Sequence, residues 1–121
     1  MRNLRYRGLK WRAMAWLVLG RTRRALSLFE TLLAEFPGDA YALASIAHLQ
    51  AQAGDAAAAR RTFEELLQRQ PGAGSHWFNY GFLLEEAGEY ERAEAAFRRA
   101  TELAPELDRA WYGLGLVLIR L

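Results

Sequence analysis

Ser75 and His76 stand side by side, and a hydroxyl next to an imidazole is the pairing from which a nucleophilic site is built. Here the spacing defeats it, because consecutive residues on a helix do not face each other. The remaining serines are only Ser27 and Ser45. His48 and His76 fall at different places along the chain and make no metal-ligand spacing. The absence of cysteine excludes disulfides and thiolate metal sites. No glycine-rich phosphate loop follows a strand, since the pattern predicts no strand. Glu85, Glu86, Glu89, Glu91 and Glu94 crowd around one reversal; carboxylates in such a run read as a solvated face, partly paired with Arg92, Arg98 and Arg99. No catalytic residue, metal or cofactor is therefore expected, and the chain reads as a non-enzyme.

Charge offers a second kind of chemistry. Residues 1–24 carry eight basic side chains and no acid, whereas the other 97 residues carry eight basic and fourteen acidic ones. Fifteen of the sixteen cations are arginine, whose planar fork suits pairing with carboxylates between helices. Tyr6, Trp11 and Trp16 lie among the early cations, and residues 2–24 could engage the phosphates of RNA or of an anionic membrane. The preferred reading is that these arginines pair with acids elsewhere in the fold or in a partner, so nucleic acid and membrane are not the expected partners. The apolar run "AMAWLVLG", residues 13–20, is far short of the roughly 20 residues that span a bilayer. It is followed by "RTRRALSLFE" and not by a small-residue cleavage site, so a secretory leader is not expected and a cytoplasmic location is.

The elements that would position these groups are set by a repeat. The chain of 121 residues has prolines at Pro37, Pro71 and Pro105, a period of 34. Phe29, Phe63 and Phe97 follow the same interval, as do Ala25, Ala59 and Ala93, and Gly20, Gly54 and Gly88. Trp77, Tyr80, Gly81 and Leu84 mark one face of a helix, and Gly88 breaks that helix where the chain must reverse. Ala93, Phe97 and Ala100 mark a face of a second helix that ends before Pro105. The pattern predicts an all-α chain with helices near 7–19, 22–36, 40–53, 56–70, 75–87 and 90–103 and a seventh from about 108, with Asp39, Asp55, Ser75 and Asp108 as N-caps. Small residues at Gly81 and Ala93 allow the helices to approach, and Phe97 fills the space toward the next pair. One hairpin cannot bury its apolar face alone, so hairpins stack.

These columns resemble the tetratricopeptide repeat, whose pattern W-x2-L-G-x2-Y…A-x3-F…P is met by Trp77, Gly81, Ala93, Phe97 and Pro105, with Tyr80 and Leu84 in the leucine and tyrosine places. The repeats run 6–39, 40–73 and 74–107, with an unpaired final helix at 108–121, as one array over residues 1–121. The second has Gln50 where an aromatic is usual, and the first has Arg12 at a core-facing place. The resemblance implies an α–α superhelix whose concave groove, lined by the first helix of each hairpin, binds a peptide or protein segment. The groove residues it implies are Lys10, Met14, Tyr41, His48, Phe78, Asn79, Phe82, Arg109 and Tyr112. Phe78 and Phe82 would form an apolar pocket, with contact to a neighbouring helix as the competing reading. Asn79 would hold a ligand's backbone. A carboxylate clamp of the kind some relatives use is not expected, since Met14, Ser45 and Ser75 stand where asparagines and lysine are needed.

On the final helix, Trp111, Leu114, Gly115 and Leu118 are expected to cover the preceding repeat, leaving Val117, Ile119 and Leu121 outward as a self-association surface. The reading is thus an interaction scaffold with a possible homo-oligomer through its C-terminal helix. The alternatives are a basic adaptor acting through residues 2–24, or the targeting arm of a larger enzyme.

Overall fold

The computed structural model describes residues 2–121. Among them are seven helices and no strand: α1 (Arg2–Val18), α2 (Thr22–Glu35), α3 (Ala40–Gln52), α4 (Ala56–Arg69), α5 (Gly74–Glu86), α6 (Tyr90–Leu103) and α7 (Asp108–Arg120). The chain divides into two compact units, the first ending at Thr62 and the second beginning at Phe63.

In the N-terminal unit, α1 packs on α2 and α2 on α3. The core is built from Leu9, Ala13, Ala25, Phe29, Leu32, Ala42, Ile46 and Leu49. The reversals are made by glycine because they need a left-handed residue: Gly20 has φ 74° and Gly54 has φ 84°. Each closes its helix with the same pair of bonds. Gly20 donates to Leu17 O at 3.0 Å while Arg21 donates to Trp16 O at 2.8 Å, and Gly54 and Asp55 repeat this toward Ala51 and Gln50 at 3.1 and 3.0 Å. Asp39 caps α3, accepting from the Ala42 amide at 2.9 Å, and Asp55 caps α4 through the Ala58 amide at 3.2 Å.

The C-terminal unit is built on the same plan. Gly88, at φ 77°, joins α5 to α6: it donates to Glu85 O while Glu89 donates to Leu84 O, both at 2.9 Å. α7 packs on α6 and touches α5. Phe63, Leu66, Leu84, Ala93, Phe97, Ala100 and Val117 are buried. Burial of a phenylalanine such as Phe97 is worth roughly 3–5 kcal/mol against alanine, so the column of phenylalanines carries much of the packing.

Four expectations change. α1 begins at Arg2, about a turn and a half early, and the added segment is held by long-range contacts. Arg5 is ion-paired with Glu35, Tyr6 donates to Asp39 Oδ2 at 3.2 Å and stacks edge-on to Phe36 at 5.2 Å, and Arg2 lies 5.2 Å over the same ring. Ser75 is not a cap: α5 starts at Gly74, where a side chain would stand 2.7 Å from Ala104 Cβ. Asp108 is the first residue of α7, and the cap position falls on Leu107. Arg12 is exposed, although its counterparts Ile46 and Tyr80 are buried. Tyr80 turns toward α4, and no described helix precedes α1 to bury the same face.

Candidate functional site

The first helices of the hairpins carry the expected binding residues, and each unit brings some of them together. In the N-terminal unit the Lys10 ammonium lies 4.2 Å from the centre of the Tyr41 ring, which itself meets Phe29 edge-on at 5.8 Å. A cation over an aromatic face is attracted by the ring's quadrupole, so Lys10 and Tyr41 act as one feature spanning α1 and α3. Met14 is partly exposed one turn along α1, and His48 is exposed on α3.

In the C-terminal unit the corresponding face belongs to α5 and α7. Phe78 is half-buried: its ring lies 5.8 Å from Phe97 and the Arg109 guanidinium lies 5.0 Å over it. Phe78 therefore serves the packing between α5, α6 and α7. Phe82, one turn on, is 49% exposed, and Tyr112 on α7 is 71% exposed. Asn79 is half-buried on α5. The face thus offers two exposed aromatics and a cation anchored on a third ring.

The self-association residues divide. Ile119 and Leu121 are exposed, but Val117 is fully buried, with Ala110, Gly113 and Leu114 completing the buried stripe of α7. Trp111, Gly115 and Leu118, expected to cover the preceding repeat, form the open side instead. The difference follows from packing. Gly81, the counterpart of Gly115, meets Phe97 and Ala96 of α6, whereas no described helix lies against that side of α7.

Two features escaped the sequence reading. Tyr80 donates to Glu64 Oε2 at 2.7 Å and accepts from Arg92 at 2.8 Å, and Arg92 also reaches Glu64 and Glu89, both at 3.4 Å. This polar bridge ties α4, α5 and α6 together, and a tyrosine in a leucine column was its signal. A cleft of about 370 Å³ lined by Glu64, Leu67, Gln68, Trp77 and Tyr80 opens beside it. The other is the indole of Trp77, which donates to Pro71 O at 2.8 Å; Trp111 repeats the bond to Pro105 O at 2.9 Å. Tryptophan and proline, six apart, thus fasten each helix start to the preceding turn.

Four of the eight basic side chains of residues 1–24 contact groups within the fold: Arg2, Arg5, Lys10 and Arg24. Besides Arg2 and Arg5, Arg24 lies 4.6 Å over the Trp16 ring. Hydrogen bonding from Arg5 holds the Glu35 carboxyl below its ordinary range, and burial followed by the Asp39 charge raises the Tyr6 phenol. No described helix is long and apolar enough to cross a membrane. No group of three or more metal-ligating side chains gathers among the described residues.

Equal helical hairpins closed by left-handed glycines and filled by an alanine–phenylalanine column define a helical-repeat protein. The tetratricopeptide repeat profile matches residues 12–73, 44–108 and 83–121, and the chain belongs to that family. No curated protein matches it in sequence. Solved structures similar to it include MamA from Desulfovibrio magneticus RS-1, with TM-score 0.85 and 20% identity over 95% of this chain and 65% of that one. The Yersinia enterocolitica type III secretion chaperone SycD gives TM-score 0.86 and 18% identity over 94% of this chain and 92% of that one. It is solved with a peptide of the translocator YopD and also as an alternative dimer. An O-GlcNAc transferase from Thermobaculum terrenum gives TM-score 0.81 and 25% identity over 93% of this chain but 22% of that one. The chain spans less than two thirds of MamA. The likeness to MamA and SycD is one of fold.

Proposed function

We propose that this chain is a non-enzymatic protein-interaction scaffold that takes a peptide or protein segment on the faces of its first helices. One observation carries the reading: Phe82 and Tyr112 are exposed on α5 and α7 although the core of the repeat uses neither. Exposed aromatics beside a fixed cation are the usual anchors of an interface. Arg109, held over Phe78, favours a segment with an apolar side chain next to an acidic one. Lys10 on Tyr41 supplies a second cationic contact in the N-terminal unit. SycD, of similar fold, holds a peptide of its translocator, which supports a segment as ligand here. Self-association through α7 belongs to the same reading, with Trp111, Leu118, Ile119 and Leu121 as its exposed apolar side chains.

The test is panning of a displayed peptide library against the folded chain. Enriched peptides should combine apolar and acidic residues and should lose about tenfold or more in affinity toward Phe82→Ala/Tyr112→Ala. Peptides that bind the double variant as well as the parent chain would refute the assignment of this face. The basic-adaptor alternative has less support, because Arg2, Arg5, Lys10 and Arg24 already contact Phe36, Glu35, Tyr41 and Trp16. It requires a nucleic-acid affinity that falls steeply with salt and is lost on reversing Arg7, Arg12 and Arg23 to glutamate.

A further inference from the structure

Two helices carry open apolar seams, one in each unit. On α1, Leu4, Gly8, Trp11, Ala15 and Val18 follow one another at intervals of four, three, four and three, and all five are exposed. That alternation is the seam of a coiled coil. On α7, Trp111, Gly115 and Leu118 repeat it at intervals of four and three, again exposed. Neither Gly8 nor Gly115 has any atom within 4 Å of where a Cβ would stand, so each leaves a notch in its seam.

The two seams differ in how they can pair. Laid parallel, they set tryptophan on tryptophan and glycine on alanine, or tryptophan on leucine and glycine on glycine, wasting both notches. Laid antiparallel, they set Trp111 against Ala15, Trp11 against Gly115 and Leu118 against Gly8, so every large side chain meets a small one. The chain already uses this fit: the Phe97 ring of α6 lies against Gly81 of α5, where a Cβ would be 2.9 Å from it. The antiparallel register also brings Arg21, Arg23 and Arg24, which follow α1, toward Glu106 and Asp108 at the start of α7.

Charge selects between unlike and like pairing. The N-terminal unit holds ten basic and four acidic side chains, net +6; the C-terminal unit holds six basic and ten acidic, net −4. Bringing two C-terminal units together, or two N-terminal units, sets like net charge on like. Bringing an N-terminal unit to a C-terminal one sets opposite net charge together, and complementary fields both steer and orient association. We propose that the open face of α7 receives α1 of a second copy of this chain, antiparallel, through Trp111–Ala15, Gly115–Trp11 and Leu118–Gly8. This rests on the reading that α7 mediates self-association and adds the partner face and its register. Such a contact is head-to-tail, so it builds rings or open strings of copies and not a two-fold pair.

The experiment uses sedimentation velocity on the full chain and on Trp11→Gln and Gly115→Gln, which leave net charge unchanged. Both positions are open, so by circular dichroism Trp11→Gln should melt as the parent does and Gly115→Gln no lower than the parent. The parent should grow in mass with concentration, and less so as salt rises. Each variant alone should associate about tenfold or more weakly. Their equimolar mixture should form a one-to-one complex, because one copy keeps its α7 face and the other its α1 face. If Trp11→Gln associates like the parent while Gly115→Gln does not, α7 pairs with itself: the head-to-tail contact is wrong and self-association through α7 stands. If Gly115→Gln associates like the parent, or the parent stays monomeric at millimolar concentration, both fall.

Discussion

The ring of Phe97 is wedged between two glycines: a Cβ on Gly81 of α5 would stand 2.9 Å from Phe97 Cδ1, and one on Gly113 of α7 would stand 2.9 Å from Cε1. Since the ring is buried and bounded on both sides, it cannot move aside. Gly81→Ala should therefore destabilise the C-terminal unit. Overpacking costs about 1–3 kcal/mol and outweighs a helix-propensity gain near 1 kcal/mol. Gly115 occupies the same place one repeat later with nothing within 4 Å. Gly115→Ala should stabilise by about 0.5–1 kcal/mol. Denaturant midpoints of the two variants check this, and equal signs would contradict the packing described.

The caps give a second contrast. Asp39 accepts from the Ala42 amide at 2.9 Å and from the Tyr6 hydroxyl at 3.2 Å through the same oxygen. Asp108 sits inside the first turn of α7, and no side chain caps that helix. Asp39→Ala should cost about 1–2 kcal/mol, from the lost cap and from a phenol left without its acceptor. Asp108→Ala should stay within about 0.5 kcal/mol. Thermal melts of both variants would decide it.

What was legible in the sequence is what depends on local size and backbone freedom. A left-handed turn needs glycine, so Gly20, Gly54 and Gly88 marked the reversals, and the alanine–phenylalanine pairs marked the buried face of each second helix. The open side of α7 was not legible by the same rule. A shift of 34 residues carries over the face of α5 that meets α6, and no described helix meets that face of α7, so Trp111 and Leu118 stay exposed while Val117, like its counterpart Leu83, is buried. Gly113, set against Phe97, was the overlooked sign. The start of α1 was hidden for a different reason: the partners of "RNLRY" are Glu35, Phe36 and Asp39, some thirty residues away. At the candidate site the aromatic column was legible, but the division of labour between Phe78 and Phe82 depends on where Phe97 and Arg109 lie.

The Arg5–Glu35 pair gives a prediction in pH. Arg5 holds the Glu35 carboxyl below its ordinary range through hydrogen bonding and charge, and burial opposes this only in part. A carboxyl lowered in the folded state contributes stability above its unfolded pKa and loses it as pH falls through the folded one. Removing the partner with Arg5→Gln should return Glu35 to the ordinary carboxylate range in a carboxyl-carbon NMR titration. The parent's thermal advantage over the variant should be present at neutral pH and shrink below that range, and because the pair is exposed it should also shrink in salt. A Glu35 titration unchanged by the substitution would show that the pair does not persist in solution.

Phe78 and Phe82, one turn apart, should separate stability from binding. Phe78 packs on Phe97 at 5.8 Å and carries Arg109 over its ring at 5.0 Å. Its truncation opens a gap beside the buried column and frees the guanidinium. Phe78→Ala should cost about 2–3 kcal/mol, less than the 3–5 kcal/mol of a fully buried phenylalanine because the ring is only half-buried. Phe82 is 49% exposed, so Phe82→Ala should change stability by less than about 1 kcal/mol. For peptides selected on the parent chain the order reverses at fixed folded fraction: Phe82→Ala should weaken binding about tenfold, as loss of an interface anchor does. Melts and fluorescence titrations on the two variants measure both quantities. A Phe82→Ala variant that melts far below the parent would make Phe82 a packing residue and remove it from the binding face.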